Sequence, residues 1–165
     1  MNPLPILKTV AWPDETATAH FAQSLAQSLL RRGLDGCITL HGDLGAGKTT
    51  FVRHLLRALG VTGRIKSPTY AVVEPYEVTL PDASGAHQAA IWHFDFYRFN
   101  DPREWEDAGF RDVFASAGLK LCEWPERAQS LLPLADLQIH VHALDEQQRD
   151  VKLVAQTPRA QEWLA

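Results

Sequence analysis

The stretch "GDLGAGKTT", Gly42 to Thr50, satisfies the pattern GxxxxGK[ST] at every fixed position. The chemistry such a stretch can do is to hold a chain of phosphates. Gly42, Gly45 and Gly47 let the backbone bend and turn its N–H groups onto phosphate oxygens, and a helix opening near Lys48 adds its positive N-terminal end. Lys48 can reach β- and γ-phosphates, the Thr49 hydroxyl can ligate Mg²⁺, and Thr50 is placed to touch an α-phosphate. Ordinary residue frequencies produce this pattern by chance roughly a few times in 10⁵ positions.

A phosphate loop needs a second acidic element to hold a metal and orient water. Asp95 closes the apolar run "AIWHFD" and Glu123 closes "LKLCE". Both are carboxylates at the C-terminal ends of expected strands, the edge of an α/β sheet where ligands bind. Each can also be read as a solvated strand-end acid. In "IKSPTYAVVEPY", Ser67 and Thr69 are hydroxyls on a proline-bent loop that could contact a γ-phosphate and act as a switch; a plain turn at Ser67-Pro68 is the alternative.

These residues need strands and helices to position them. "CITLHG" has the apolar, β-branched character of a buried parallel strand and runs directly into the loop. "KTTFVRHLLRALG" then places Phe51, Val52, Leu55, Leu56 and Leu59 on one stripe and stops at Gly60. Upstream, "LPILKTVAW" predicts a short strand. "PDETATAHFAQSLAQSLLRRG" predicts a helix capped by Asp14, with Phe21, Leu25 and Leu29 on one face and Gly33 at its end. Downstream, "TYAVVEPYEV" and "AAIWHFDFY" predict strands joined by a polar turn segment, "PDASGAHQ". One or two short helices opened by Asp101 and Pro102 follow, then the strand "LKLCEW" and a short helix from Pro125. A hairpin across "DEQQR" and a terminal helix "PRAQEWLA" complete the chain.

With 165 residues and 45% apolar side chains, the chain reads as one domain spanning 1–165. The implied fold class is α/β, a three-layer P-loop NTPase-type sandwich with a mixed central sheet. No apolar run is long enough to span a bilayer and no secretory signal opens the sequence, so a cytoplasmic protein with no membrane partner is expected. A formal charge of −4 argues against free-standing DNA or RNA binding. Cys37 and Cys122 lie in apolar runs without CxxC spacing and read as buried thiols. His140 and His142 share a strand face, but no further ligand keeps metal-binding spacing with them.

Four segments occur in order: "GDLGAGKTT", "KSPTY", "HFDFYR" and "CEWPER". Together they closely resemble the TsaE (YjeE) family of bacterial ATPases, over most of the chain. The phosphate loop alone is generic, and the ordered combination is specific. The resemblance implies a role in making threonylcarbamoyladenosine, the modified base 3′ of the anticodon in tRNAs that read A-starting codons. It implies binding of ATP and Mg²⁺, docking on a TsaD–TsaB heterodimer, indirect contact with tRNA through that complex, and hydrolysis that supports its repeated turnover. By the same resemblance Gly45, Ala46, Gly47, Lys48, Thr49 and Thr50 enclose the phosphates, Thr49 and Glu123 bind Mg²⁺, and Asp95 lies by the γ-phosphate and the metal. Glu15 matches a position near the base, Arg149 an arginine that reaches the nucleotide, and Trp124 the tryptophan after the metal-binding glutamate, where simple packing is the other reading.

Lys48, Asp95 and Glu123 are thus the expected catalytic residues. A small-molecule kinase would need an acceptor subdomain and an arginine-rich lid, and no such insertion follows the loop. No NKxD-type segment supports a guanine-reading switch. A nucleotide-gated assembly module with incidental hydrolysis stays open, because occupancy alone can order a docking surface. Arg53, Arg57, Arg64 and Lys66 could meet an acidic partner or form a solvated basic face.

Overall fold

The strand that delivers the phosphate loop is apolar on both faces: Gly36 to Leu40 are all buried. Such a strand belongs in the middle of a covered sheet, and that is its place in the computed structural model, which describes residues 3–68, 71–128 and 130–165. In chain order the elements are β1 (Ile6–Trp12), α1 (Glu15–Arg31), β2 (Gly36–His41), α2 (Lys48–Ala58), β3 (Val73–Asp82) and β4 (Gly85–Asp95). There follow α3 (Pro102–Asp107), α4 (Phe110–Ala115), β5 (Leu119–Glu123), a 3₁₀ turn (Pro125–Ala128), β6 (Leu137–Ala143), β7 (Arg149–Ala155) and α5 (Pro158–Trp163).

The sheet runs β1-β7-β6-β2-β5-β4-β3. Its four central strands, β6, β2, β5 and β4, are mutually parallel, and β7, β1 and β3 add antiparallel edges. Alternation along the strands sorts the core into two layers. Ile38, Leu40, Leu121 and Ile139 pack with the buried stripe of α1 and α2. Cys37, Phe94 and Cys122 face the other way, onto Phe96, Phe99, Trp105 and Phe110 around α3 and α4. The mixed three-layer α/β sandwich implied by the sequence is the observed fold.

Local signals act as expected. Asp14 Oδ1 accepts the Ala17 N–H at 2.8 Å, satisfying a first-turn donor of α1. Gly33, at φ 85°, turns the chain so that the Leu34 N–H reaches the Leu29 carbonyl at 2.9 Å, which closes that helix. In α2, Phe51, Val52, Leu55 and Leu56 are fully buried, each worth about 1.5–3 kcal/mol of apolar burial. Both cysteines are buried free thiols, and burial together with a hydrogen bond that the Cys122 thiol donates to Cys37 pushes the Cys122 thiol up. Among the described residues no helix is long and apolar enough to cross a membrane.

The segment read as a polar turn, "PDASGAHQ", is largely strand. β3 continues to Asp82 and β4 begins at Gly85, so only Ala83 and Ser84 make the turn. Val78, Leu80 and Ala89 are buried on one face of this ribbon, while Glu77, Thr79 and Gln88 are exposed on the other. Asp82 tightens the turn by accepting from the Ser84 N–H and hydroxyl, both at 2.8 Å. Because β4 meets β5 only over Ile91–Asp95, the first half of the ribbon projects past the N-terminal edge of the parallel strands. That is the end opposite the phosphate loop.

Candidate functional site

The loop leaves the C-terminal end of β2, and the topology brings the two strand-end acids beside it. Asp95 and Glu123 are register partners at the ends of β4 and β5. Their side chains share the face that α2 covers, because Ile91 and Leu121, an even number of residues earlier, pack in that core layer. Thr49, in the first turn of α2, donates its hydroxyl to Glu123 Oε1 at 2.7 Å. Lys48, Thr49, Asp95 and Glu123 line one cavity of about 470 Å³ together with Gly45, Gly47, Thr50, Tyr97, Arg98, Trp124 and Arg149. The four expected chemical groups therefore converge.

The backbone of the loop is shaped for close approach. Gly45 and Gly47 adopt φ 79° and 107°, the left-handed region that side chains disfavour. Gly47 caps α2 with no side-chain hydrogen bond, so the first-turn amides are not claimed by a cap residue. Lys48 donates to the Gly42 carbonyl, and its ammonium lies 3.6 Å from the centre of the Trp124 ring. Trp124 reaches it from a left-handed backbone, φ 55°. That conformation is uncommon for a bulky residue and turns the indole back over the loop.

Burial sets the electrostatics. Desolvation holds the Lys48 ammonium below its usual range, opposed by Glu123, Glu126, Asp95 and Asp43. It pushes the Asp95 carboxyl up, against the Tyr97 N–H that donates to Asp95 Oδ1 at 2.9 Å. Two buried acids side by side, with a hydroxyl in reach, make an all-oxygen donor set suited to a hard divalent cation such as Mg²⁺. These residues fit the group that the sequence implies.

Arg149, the first residue of β7, braces the loop from the far side. Its Nε donates to the Ala46 carbonyl at 2.6 Å, and its Nη1 donates to Asp145 and Gln148 carbonyls at 2.8 and 3.0 Å. It separates the phosphate cavity from a second one of about 520 Å³ lined by Trp12, Asp14, Glu15, Gly47, Thr50 and Glu146. Glu15 stands exposed at that second cavity and pairs with His54 at 2.9 Å. Ser67 is exposed and lines neither cavity, and Thr69 lies outside the described residues.

Sequence reasoning passed over His93. This histidine is buried against Glu123, its Nε2 2.5 Å from Oε2. The available signal was its position two residues before Asp95, which places both on one strand face.

His140 is engaged by its strand neighbours. Its ring stacks on His41 with centroids 4.2 Å apart, and its Nε2 meets Gln138. The stacked pair has a measurable consequence. Burial first, then His140 and Lys48, push His41 down from 6.5 to about 4. Between those values the unfolded chain binds the extra proton, so stability is lost as pH falls from 6.5 towards 4 and levels off below. The expected loss is on the order of 2 kcal/mol, reduced from the full shift because the ring is partly in water. His41→Asn should flatten the pH dependence of the urea midpoint across this window; an unchanged slope would refute the assignment.

Comparison with known proteins bears on the whole of this geometry. The family profile described as Threonylcarbamoyl adenosine biosynthesis protein TsaE matches residues 12–151. The tRNA threonylcarbamoyladenosine biosynthesis protein TsaE of Haemophilus influenzae is 40% identical over 147 residues, 88% of this chain and 87% of that protein. Its namesake from Bacillus subtilis is 35% identical over 155 residues, 90% and 87% of the two chains. The crystal structure of Bacillus subtilis YdiB superposes with a TM-score of 0.72 at 25% identity, covering 99% of this chain and 95% of the other. The chain belongs to the TsaE family, and its role lies in the biosynthesis of threonylcarbamoyladenosine in tRNA.

Proposed function

We propose that this chain is a Mg²⁺-dependent ATPase whose hydrolysis supports a TsaB–TsaD complex during threonylcarbamoyladenosine formation. The observation that carries the reading is the convergence of Lys48, Thr49, Asp95 and Glu123 on one cavity at the C-terminal edge of the sheet. Loop amides and Lys48 bind the triphosphate, and the cavity beside Glu15 takes the nucleoside end. By donating its proton to Glu123, the Thr49 hydroxyl leaves its lone pairs free for a cation. Thr49 and Glu123 would hold Mg²⁺, which would supply charge neutralisation for the triphosphate. Asp95 orients the attacking water or a metal ligand, and Lys48 offsets charge developing on the transferring group.

A kinase reading needs an acceptor pocket opening onto the phosphates. A cavity of about 770 Å³ between α3, α4 and Leu131–Pro133 shares no lining residue with the phosphate cavity. Contact with tRNA is assigned to the partners, because the chain carries a formal charge of −4. ATP hydrolysis is measured with the chain alone, with TsaB and TsaD together, and with small acceptors. The expected result is slow turnover alone and stimulation by the heterodimer. Stoichiometric phosphorylation of an acceptor would replace this reading with a kinase, and binding without turnover would favour the assembly module.

A further inference from the structure

The Glu123 carboxylate is held from two directions. Oε1 accepts from Thr49 of α2 at 2.7 Å, and Oε2 lies 2.5 Å from His93 Nε2 on β4. Both the His93 and Glu123 side chains are 2% exposed. The register accounts for the contact: His93 pairs with Leu121 and Asp95 with Glu123, so His93 sits diagonally behind Glu123 on the α2 face. An ionised carboxylate offers acceptors only, so the ring supplies an N–H at Nε2.

The rest of the ring's polar chemistry is not engaged. Nδ1 is buried with no hydrogen-bond partner. An apolar side chain of similar volume would fill the same space without leaving a polar atom orphaned. The bond to Glu123 is the interaction that only an N–H donor supplies at this position.

We infer that His93 is a positioning residue for the cation site, resting on the Mg²⁺-ATP reading above. A glutamate's terminal torsion is broad, so a carboxylate held at one oxygen swings. Held at both, it keeps Oε1 against Thr49 and fixes which way the threonine hydroxyl points. His93 thereby orients a group one bond removed from the metal, as outer partners of metal ligands do.

The test is binding of a fluorescent ATP analogue, in EDTA and across a Mg²⁺ titration, to wild type, His93→Asn and His93→Gln, with Mn²⁺ affinity read by EPR and folding by thermal unfolding. Glutamine carries an amide donor near the Nε2 position, whereas asparagine is too short. His93→Asn should bind the analogue as wild type does in EDTA and lose Mg²⁺ and Mn²⁺ affinity by about 10–100-fold; His93→Gln should recover most of it. Equal metal affinity in His93→Asn and wild type would overturn the inference. An equal loss of binding with and without metal, or failure of His93→Gln to rescue, would mark a structural role and overturn it as well. Wild type lacking any Mg²⁺ dependence would instead defeat the Mg²⁺-ATP reading, which the same titration reports separately.

Discussion

Glu123→Ala is expected to lower Mg²⁺-dependent ATP turnover by at least about 10²-fold, and Thr49→Ala to have a comparable effect. Glu123 is 2% exposed and joins three elements: its own β5, α2 through Thr49 and β4 through His93. Truncation removes one of the two acids facing the cavity and frees the Thr49 hydroxyl to point its proton anywhere. It also strands the His93 donor, at about 1–3 kcal/mol. That loss is tolerable for a domain held by two core layers, so both variants should unfold cooperatively, with Glu123→Ala the less stable. Glu123→Gln separates the effects: it keeps the shape and one carbonyl oxygen but lowers the negative charge. Phosphate release in the presence of TsaB and TsaD, with thermal unfolding in parallel, checks all three. Full activity in Thr49→Ala or Glu123→Ala would remove the metal assignment.

Gly42→Ala should destabilise the fold by about 2–5 kcal/mol and weaken ATP binding with it. Gly42 adopts φ 148°, and a Cβ there would lie 2.4 Å from the Val141 carbonyl oxygen and 3.2 Å from the Ala46 Cβ. The first neighbour is backbone of β6, a central strand, and cannot rotate aside. Either β6 moves or the loop lifts away from it, and the Gly42 carbonyl that holds Lys48 lifts too. A midpoint lowered by roughly 5–15 °C is expected for a chain of this size. Gly45→Ala is the control: its φ is 79° but a Cβ there meets nothing within 4 Å, so only backbone strain of about 1 kcal/mol applies. Differential scanning calorimetry of the two variants decides the matter. A Gly42→Ala midpoint within about 2 °C of wild type would show that the contact relaxes freely.

What could be read from the sequence was whatever local pattern encodes. The loop, its strand and its helix are contiguous, so spacing alone placed Lys48 and Thr49. Asp95 and Glu123 were legible because each ends an apolar run, and apolar runs in an α/β chain end at one edge. His93 was not, since its partner is 30 residues away and the contact depends on which strands become neighbours. The β3–β4 ribbon was misread because Asp82, Ser84, Gly85 and Gln88 are turn-forming or polar types. Cross-strand pairing and the burial of Val78, Leu80 and Ala89 override that preference, as tertiary context does for strands generally. Trp124 was placed as a neighbour of Glu123, but its left-handed backbone, and hence the seat of its ring on Lys48, has no sequence signature.

The order of the sheet has a consequence for synthesis. β1 is the first strand made, yet it pairs with β7, Ile6 opposite Ala155, and β6 must insert beside β2 before β7 can add. While the ribosome is translating the middle of the chain, the first strand has no sheet to join and the loop lacks Arg149, its brace. Contacts this distant in sequence form slowly. A nascent chain truncated before β7 can therefore carry the whole phosphate-loop motif and still be unable to use nucleotide to stabilise itself. Nucleotide protection against protease, followed along stalled chains of increasing length, should switch on only once residues 149–155 have cleared the exit tunnel.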